Sequence, residues 1–129
     1  MAHIDLPEGL PGIIGPMTAF PETAKALNLL AELLLSRETP TFSKAERETV
    51  ASFVSYLNEC VFCSESHAAV ADVHWGEQGS AKKIWLNVNE ASPRLQAFLR
   101  IAKQVQKSGR SVQTQDIELA RRQGATDAD

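Results

Sequence analysis

An all-α fold is predicted for this chain. Three observations predict it. Apolar residues recur at three- and four-residue spacing along most of the sequence. Helix start and stop signals bracket those runs. The alternating β-branched stretches and Gly-rich hairpin dipeptides that mark strands are missing.

Pro21 can open a helix whose apolar residues Ala24, Leu27, Leu30, Ala31 and Leu34 fall at helical spacing, with Thr39-Pro40 ending the segment. Ser43-Lys-Ala-Glu46 is a capping box, in which the serine caps a backbone N–H and the glutamate reaches back. Val50, Phe53, Val54 and Leu57 continue one apolar face until Asn58 breaks the run. The next helix begins at Cys60 or Val61 and runs to about His74, ending near Gly76 and Gly79. Ser80 caps a short turn through Leu86. Ser92-Pro93, a cap followed by proline at the first helical position, opens a helix with Leu95, Phe98, Leu99, Ala102 and Val105 inward, closed by Gly109. Thr114 or Gln115 starts one more, ended by Gly124. Thr126-Asp-Ala-Asp129 reads as the first turn of a further helix, after which the chain stops. Either the tail is frayed or the 129 residues belong to a longer product.

At this length a single domain over residues 1–129 is expected, and a hydrophobic content of 43% with 22% charged residues suits an ordinary globular core. A net charge of -3 argues against a general nucleic-acid partner. Residues 91 to 115 nevertheless hold Arg94, Arg100, Lys103, Lys107 and Arg110 without an acid, which reads as a solvated helix face. The longest apolar stretch, A-L-N-L-L-A-E-L-L-L, is interrupted by Asn28 and Glu32 and falls short of the ~20 residues of a membrane span. No basic segment followed by an apolar run stands at the N-terminus, so a cytoplasmic, non-membrane setting is the expectation. Thiols stay reduced there, and two cysteines at x-x spacing then suggest chemistry or metal binding.

Cys60 and Cys63 are the only cysteines, and His67 is one of three histidines. On a helix, positions 60, 63 and 67 lie on one face. A cysteine near a helix N-terminus feels partial positive charge, which favours the thiolate, and a neighbouring imidazole can take the proton. The imidazole in turn needs an acid to orient it. If the helices on either side of Asn58 fold back as a hairpin, Glu48 stands at the height of His67, whereas one continuous helix would separate them by ~28 Å. Glu46 is occupied by its capping box, and Glu65 points away from Cys63. A salt bridge from Glu48 to Lys44 or Arg47 is the plainer alternative. Structural zinc is the other reading of the cluster, but it needs a fourth ligand from Asp72, His74 or elsewhere. His74 lies ~10 Å further along the axis, too far for one ion. Trp75, Trp85 and Phe98 could line an apolar channel, though such spacing more often marks core.

Glu48, Cys60, Cys63 and His67 at this spacing resemble the alkylhydroperoxidase D-like proteins of the carboxymuconolactone decarboxylase family. The stretch F-S-K-A-E-R-E-T-V-A-S-F-V-S-Y-L-N-E-C-V-F-C-S-E-S-H-A-A-V-A looks like that family's core motif. L-P-G-I-I-G-P-M, S-P-R-L-Q-A-F-L-R-I-A and D-I-E-L-A-R-R-Q-G-A-T-D are similar to its uncharacterised peroxidase-related branch. The resemblance implies an all-α helical bundle around an antiparallel helical hairpin that carries Cys60-x-x-Cys63. It implies thiol-dependent reduction of hydroperoxides, with a Glu-His relay removing a proton from a cysteine. Carried over by position, Cys63 is peroxidatic, Cys60 resolving, His67 the base and Glu48 its orienter. It also implies a disulfide reset by a dithiol or lipoyl-type protein partner, assembly into trimers or hexamers, and no cofactor or metal. Phe62 stands where some members have a second histidine, and members of this branch continue past G-A-T-D with apolar helices that this sequence lacks. Two other functions share these features: a decarboxylase-like acid–base enzyme of the same family, and a non-catalytic oligomeric redox sensor. A thioredoxin-type oxidoreductase needs a βαβ setting that is missing here.

Overall fold

Helices form where the capping and periodicity signals place them in the computed structural model, which describes residues 3–37 and 39–129. Among these residues the only strand-like feature is an isolated pairing of Thr39 with Phe42. The chain divides into two compact units, Met1–Arg37 and Glu38–Asp129.

In the first unit α1 (Ile14–Ala19) is followed by α2 (Pro21–Ala31), which Pro21 opens at its first position, and by a π-helical turn, Glu32–Ser36. No residue of α2 is buried. Its regularly spaced leucines, Leu27 and Leu30 among them, stand about half exposed.

The second unit contains α3 (Lys44–Leu57), α4 (Val61–Trp75), α5 (Ser80–Leu86), α6 (Pro93–Lys107) and α7 (Thr114–Arg122). Ser43 and Glu46 form the capping box of α3, with the Glu46 N–H donating to Ser43 Oγ at 3.2 Å and the Ser43 N–H to Glu46 Oε2 at 2.9 Å. The other oxygen of Glu46 accepts from Arg94 Nη2 at 2.7 Å, which ties the start of α3 to the start of α6. Ser92 caps α6 through the Leu95 N–H.

Two expected boundaries differ. Ser80 is the first residue of α5, not its cap, and Gly79 precedes it without a side-chain cap. The carboxylate of Asp72 on α4 accepts the Gly79 and Ala81 N–H groups instead, at 2.6 and 3.1 Å. A tertiary contact thus satisfies amide groups that a local cap would otherwise serve. α6 ends at Lys107 with Ser108 as its C-cap, ahead of Gly109, and its Val105 is 53% exposed because the last turn runs beyond the core.

Phe42, Phe53, Ile84, Ala91, Leu95 and Leu99 form the main core cluster, flanked by Val50, Leu57, Trp85 and Phe98. The rings of Phe42 and Phe98 stack with centroids 4.3 Å apart. The α3–α4 interface is different. Ala45, Thr49 and Ser52 on α3 and Ser64, Ala68 and Ala71 on α4 are buried, and small side chains let two helix backbones approach closely.

Asp116 joins α7 to α6. Its buried carboxylate accepts from the Gln113 N–H at 2.9 Å and from Arg100, and these bonds hold its pKa below the usual aspartate value. A depressed folded-state pKa contributes stability that is complete above the unfolded value and lost as pH falls through the folded one. The expected outcome is that Asp116→Asn lowers stability near neutrality and flattens the loss of stability below about pH 4, read from urea unfolding midpoints across that range. Past Gly124, Thr126 and Asp129 form the anticipated turn. Asp129 accepts from the Thr126 N–H at 2.8 Å and from the hydroxyls of Thr39 and Thr41. Burial pushes the Asp129 carboxyl up, but these hydrogen bonds outweigh it and leave the pKa well below the usual range.

Candidate active site

The connection between α3 and α4 is a tight helix stop. The Cys60 N–H donates to the Ser55 carbonyl and the Glu59 N–H to the Tyr56 carbonyl, each at 3.0 Å. These are the paired bonds of a Schellman motif, in which the residue after the cap adopts a left-handed backbone. Glu59 occupies that position with φ 57°, the only non-glycine described with positive φ. Asn58 is the C-cap, as its residue type suggests, but the reversal itself falls on Glu59. A side chain in this region costs roughly 1–2 kcal/mol. Glu59→Gly is therefore expected to stabilise the protein by about 1 kcal/mol, measured as a higher denaturant midpoint at unchanged slope.

Cys60 is the N-cap of α4 and Cys63 lies in its first turn. The two are joined as a disulfide. Cys60 Sγ also accepts the Cys63 N–H at 3.3 Å. The helix N-terminus therefore directs its partial positive charge at Cys60 sulfur, where it would favour the thiolate once the bond is reduced. Both cysteines are half-buried.

One turn beyond Cys63, His67 Nδ1 lies 2.7 Å from Glu48 Oε2 across the hairpin. Glu48 is nearly buried, its side chain 10% exposed against 32% for His67. An ionised carboxylate only accepts, so the shared proton belongs to Nδ1 and a neutral imidazole is left with its basic lone pair on Nε2. Glu48 thus fixes both the tautomer and the ring.

Two residues that sequence reasoning passed over set the register of this contact. Ser52, one turn along α3 from Glu48, donates its hydroxyl to the Ser64 carbonyl at 3.0 Å, and both residues are buried. Thr49 Oγ1 receives the Trp75 indole N–H at 2.9 Å and donates to the Ala45 carbonyl at 2.7 Å. Serines and threonines on the polar edge of a helix carry no distinctive signal, and only the hairpin geometry selects them.

The remaining candidates stand elsewhere. Asp72 is committed to the start of α5, Glu65 pairs with Lys82 at 2.6 Å, and His74 is exposed at the end of α4. Among the described residues, no cluster of three His, Cys, Asp or Glu side chains is arranged to hold a metal ion. Trp85 and Phe98 pack against the core.

Neither a family model nor a curated protein matches the sequence. The fold does have a solved counterpart. It superposes with a TM-score of 0.82 on the crystal structure of an alkylhydroperoxidase AhpD core, an uncharacterized peroxidase-related protein from Ralstonia eutropha JMP134, at 26% identity over 93% of this chain. In its fold the chain is alkylhydroperoxidase D-like. It spans 64% of that neighbour's length. The alkylhydroperoxidase D-like architecture is all-α, as the sequence predicts, with the Cys-x-x-Cys pair set between helices. Among the described residues no helix is long and apolar enough to cross a membrane.

Proposed function

We propose that this protein is a thiol-dependent peroxidase that reduces hydroperoxides through Cys63 and Cys60. The observation that carries the reading is the 2.7 Å contact between Glu48 and His67, one helical turn from Cys63. A histidine held by a buried carboxylate, beside a redox-active cysteine pair at a helix N-terminus, is the equipment for generating a thiolate. The likeness to a peroxidase-related structure supports the same assignment.

In this scheme His67 Nε2 takes the Cys63 proton. The thiolate sulfur attacks the terminal oxygen of the hydroperoxide: an S–O bond forms, the O–O bond breaks, and the departing alkoxide takes a proton from the imidazolium to leave as alcohol. Cys63 is then a sulfenic acid. Cys60, as thiolate, attacks the Cys63 sulfur. The S–S bond forms, the S–O bond breaks, and the departing hydroxide takes up the equivalent of the proton that Cys60 released to solvent, leaving as water. The hydrogen bond from the Cys63 N–H to Cys60 Sγ favours the thiolate that this second step needs. The disulfide is the state in which the structure stands, and a dithiol or lipoyl-type protein would restore both thiols. The cycle belongs in a reducing compartment, the cytoplasm, and in a homo-oligomer of the trimeric or hexameric kind.

The test is intact-mass analysis of the reduced protein after one equivalent of cumene hydroperoxide. Loss of two hydrogens within seconds, with stoichiometric alcohol, is the expected result. Thiols that oxidise no faster than free cysteine would remove the peroxidase assignment. Rapid oxidation without turnover by any dithiol would point to the redox-sensor alternative.

A further inference from the structure

A groove of about 930 Å³ runs along the second unit away from the cysteines. α3 contributes Phe53 and Tyr56, the end of α5 contributes Trp85 and Leu86, and α6 and α7 close the other wall. Its floor is apolar and aromatic, with Tyr56 stacked on Trp85 at a centroid distance of 5.4 Å. The margin is also apolar: Leu86 is 81%, Val88 39% and Leu119 38% exposed. Adjoining apolar side chains left in water at this scale mark an interaction surface.

One rim carries the basic run noted in the sequence. Arg100, Lys103 and Lys107 all line the groove from α6. Their spacing of three and four residues sets them in a row along one helix face, ~10 Å from end to end. Arg100 is paired with Asp116, while Lys103 and Lys107 make no ion pair among the described residues. At the other wall the indole N–H of Trp85 is buried without a hydrogen-bond acceptor.

We infer that this groove docks an amphipathic helix of a partner protein, apolar residues inward and a row of Asp or Glu against Lys103 and Lys107. The charge pattern selects this occupant. A single-headed anionic amphiphile needs one cation at one end, whereas cations repeated at helical spacing along a groove match acids repeated at the same spacing on a second helix. The apolar floor supplies burial and the rim supplies orientation and partner choice. The surface uses none of Cys60, Cys63, His67 or Glu48, so it stands or falls separately from the peroxidase assignment.

Two synthetic helices of about 15 residues test it, both with leucines along one face, one flanked by glutamates and the other by lysines. Binding is read by anisotropy of labelled peptide at low salt. The Glu peptide is expected to bind at least about tenfold more tightly, to weaken with added salt, and to lose to the Lys peptide when Lys103→Glu and Lys107→Glu are combined. Leu86→Ser, at an exposed position, should weaken binding of either peptide. Equal binding of the two peptides, indifferent to the charge reversal, would overturn the inference. So would failure of both peptides where sodium oleate saturates the groove, or where sedimentation shows that the charge-reversed protein has lost a self-association present in the original.

Discussion

With Cys63 replaced by serine, hydroperoxide is expected to leave the protein without a disulfide and Cys60 oxidising no faster than free cysteine. The loss of rate is on the order of a thousandfold or more. Cys60→Ser should give the complementary result: rapid gain of one oxygen at Cys63, trapped as sulfenic acid because nothing resolves it. The two variants together also decide between the cysteines. Cys60 is the sulfur that accepts a helix N-terminal N–H, which by itself would make it the better-stabilised thiolate. Cys63 is the one a single turn from His67 on α4. If oxygen is trapped in Cys63→Ser and not in Cys60→Ser, the roles are exchanged and the helix terminus outweighs the imidazole.

Glu48→Gln is expected to slow thiol oxidation by about a hundredfold. Glutamine keeps nearly the shape of glutamate and its amide oxygen can still accept the His67 Nδ1–H, so the hairpin should remain intact. What disappears is the negative charge that stabilises the imidazolium once His67 has taken the proton. Far-UV circular dichroism checks helicity. An unchanged rate in a folded variant would remove Glu48 from the mechanism.

The contact between Glu48 and His67 was legible in the sequence because hairpin geometry is arithmetic: the midpoint of the two positions falls at the turn beside Asn58, which sets them at the same height on facing helices. The capping box at Ser43 and Glu46, and the Ser92-Pro93 start, were legible because they are local patterns with local chemistry. Other features were not. Asp72 accepts two amides at the start of α5 from the preceding helix, while Ser80 lies inside α5 and is not its cap; that contact exists only after the two helices pack. Ser52 and Ser64 could not be singled out, since their hydrogen bond exists only after the helices pack. Glu59 was hidden for the opposite reason: nothing in a glutamate announces a left-handed backbone, and the turn imposes it. The periodic leucines of α2 signalled a helix correctly but not its exposure, because periodicity reports a face without naming what covers it.

The Schellman turn has a consequence for the order of folding. It brings together groups only nineteen residues apart, so the whole Glu48, Cys60, Cys63 and His67 constellation lies within one continuous stretch of chain. Loop-closure entropy grows with the logarithm of loop length, and pairings this local form ahead of distant ones. The Arg94 to Glu46 contact, by comparison, spans forty-eight residues. The hairpin therefore does not have to wait for the core to condense, and the cysteines can stand beside their histidine while much of the chain is still unfolded. In pulse-labelled refolding, amides of α3 and α4 should gain protection before those of α6, and substitutions at Ser52 should slow folding more than substitutions at Leu99.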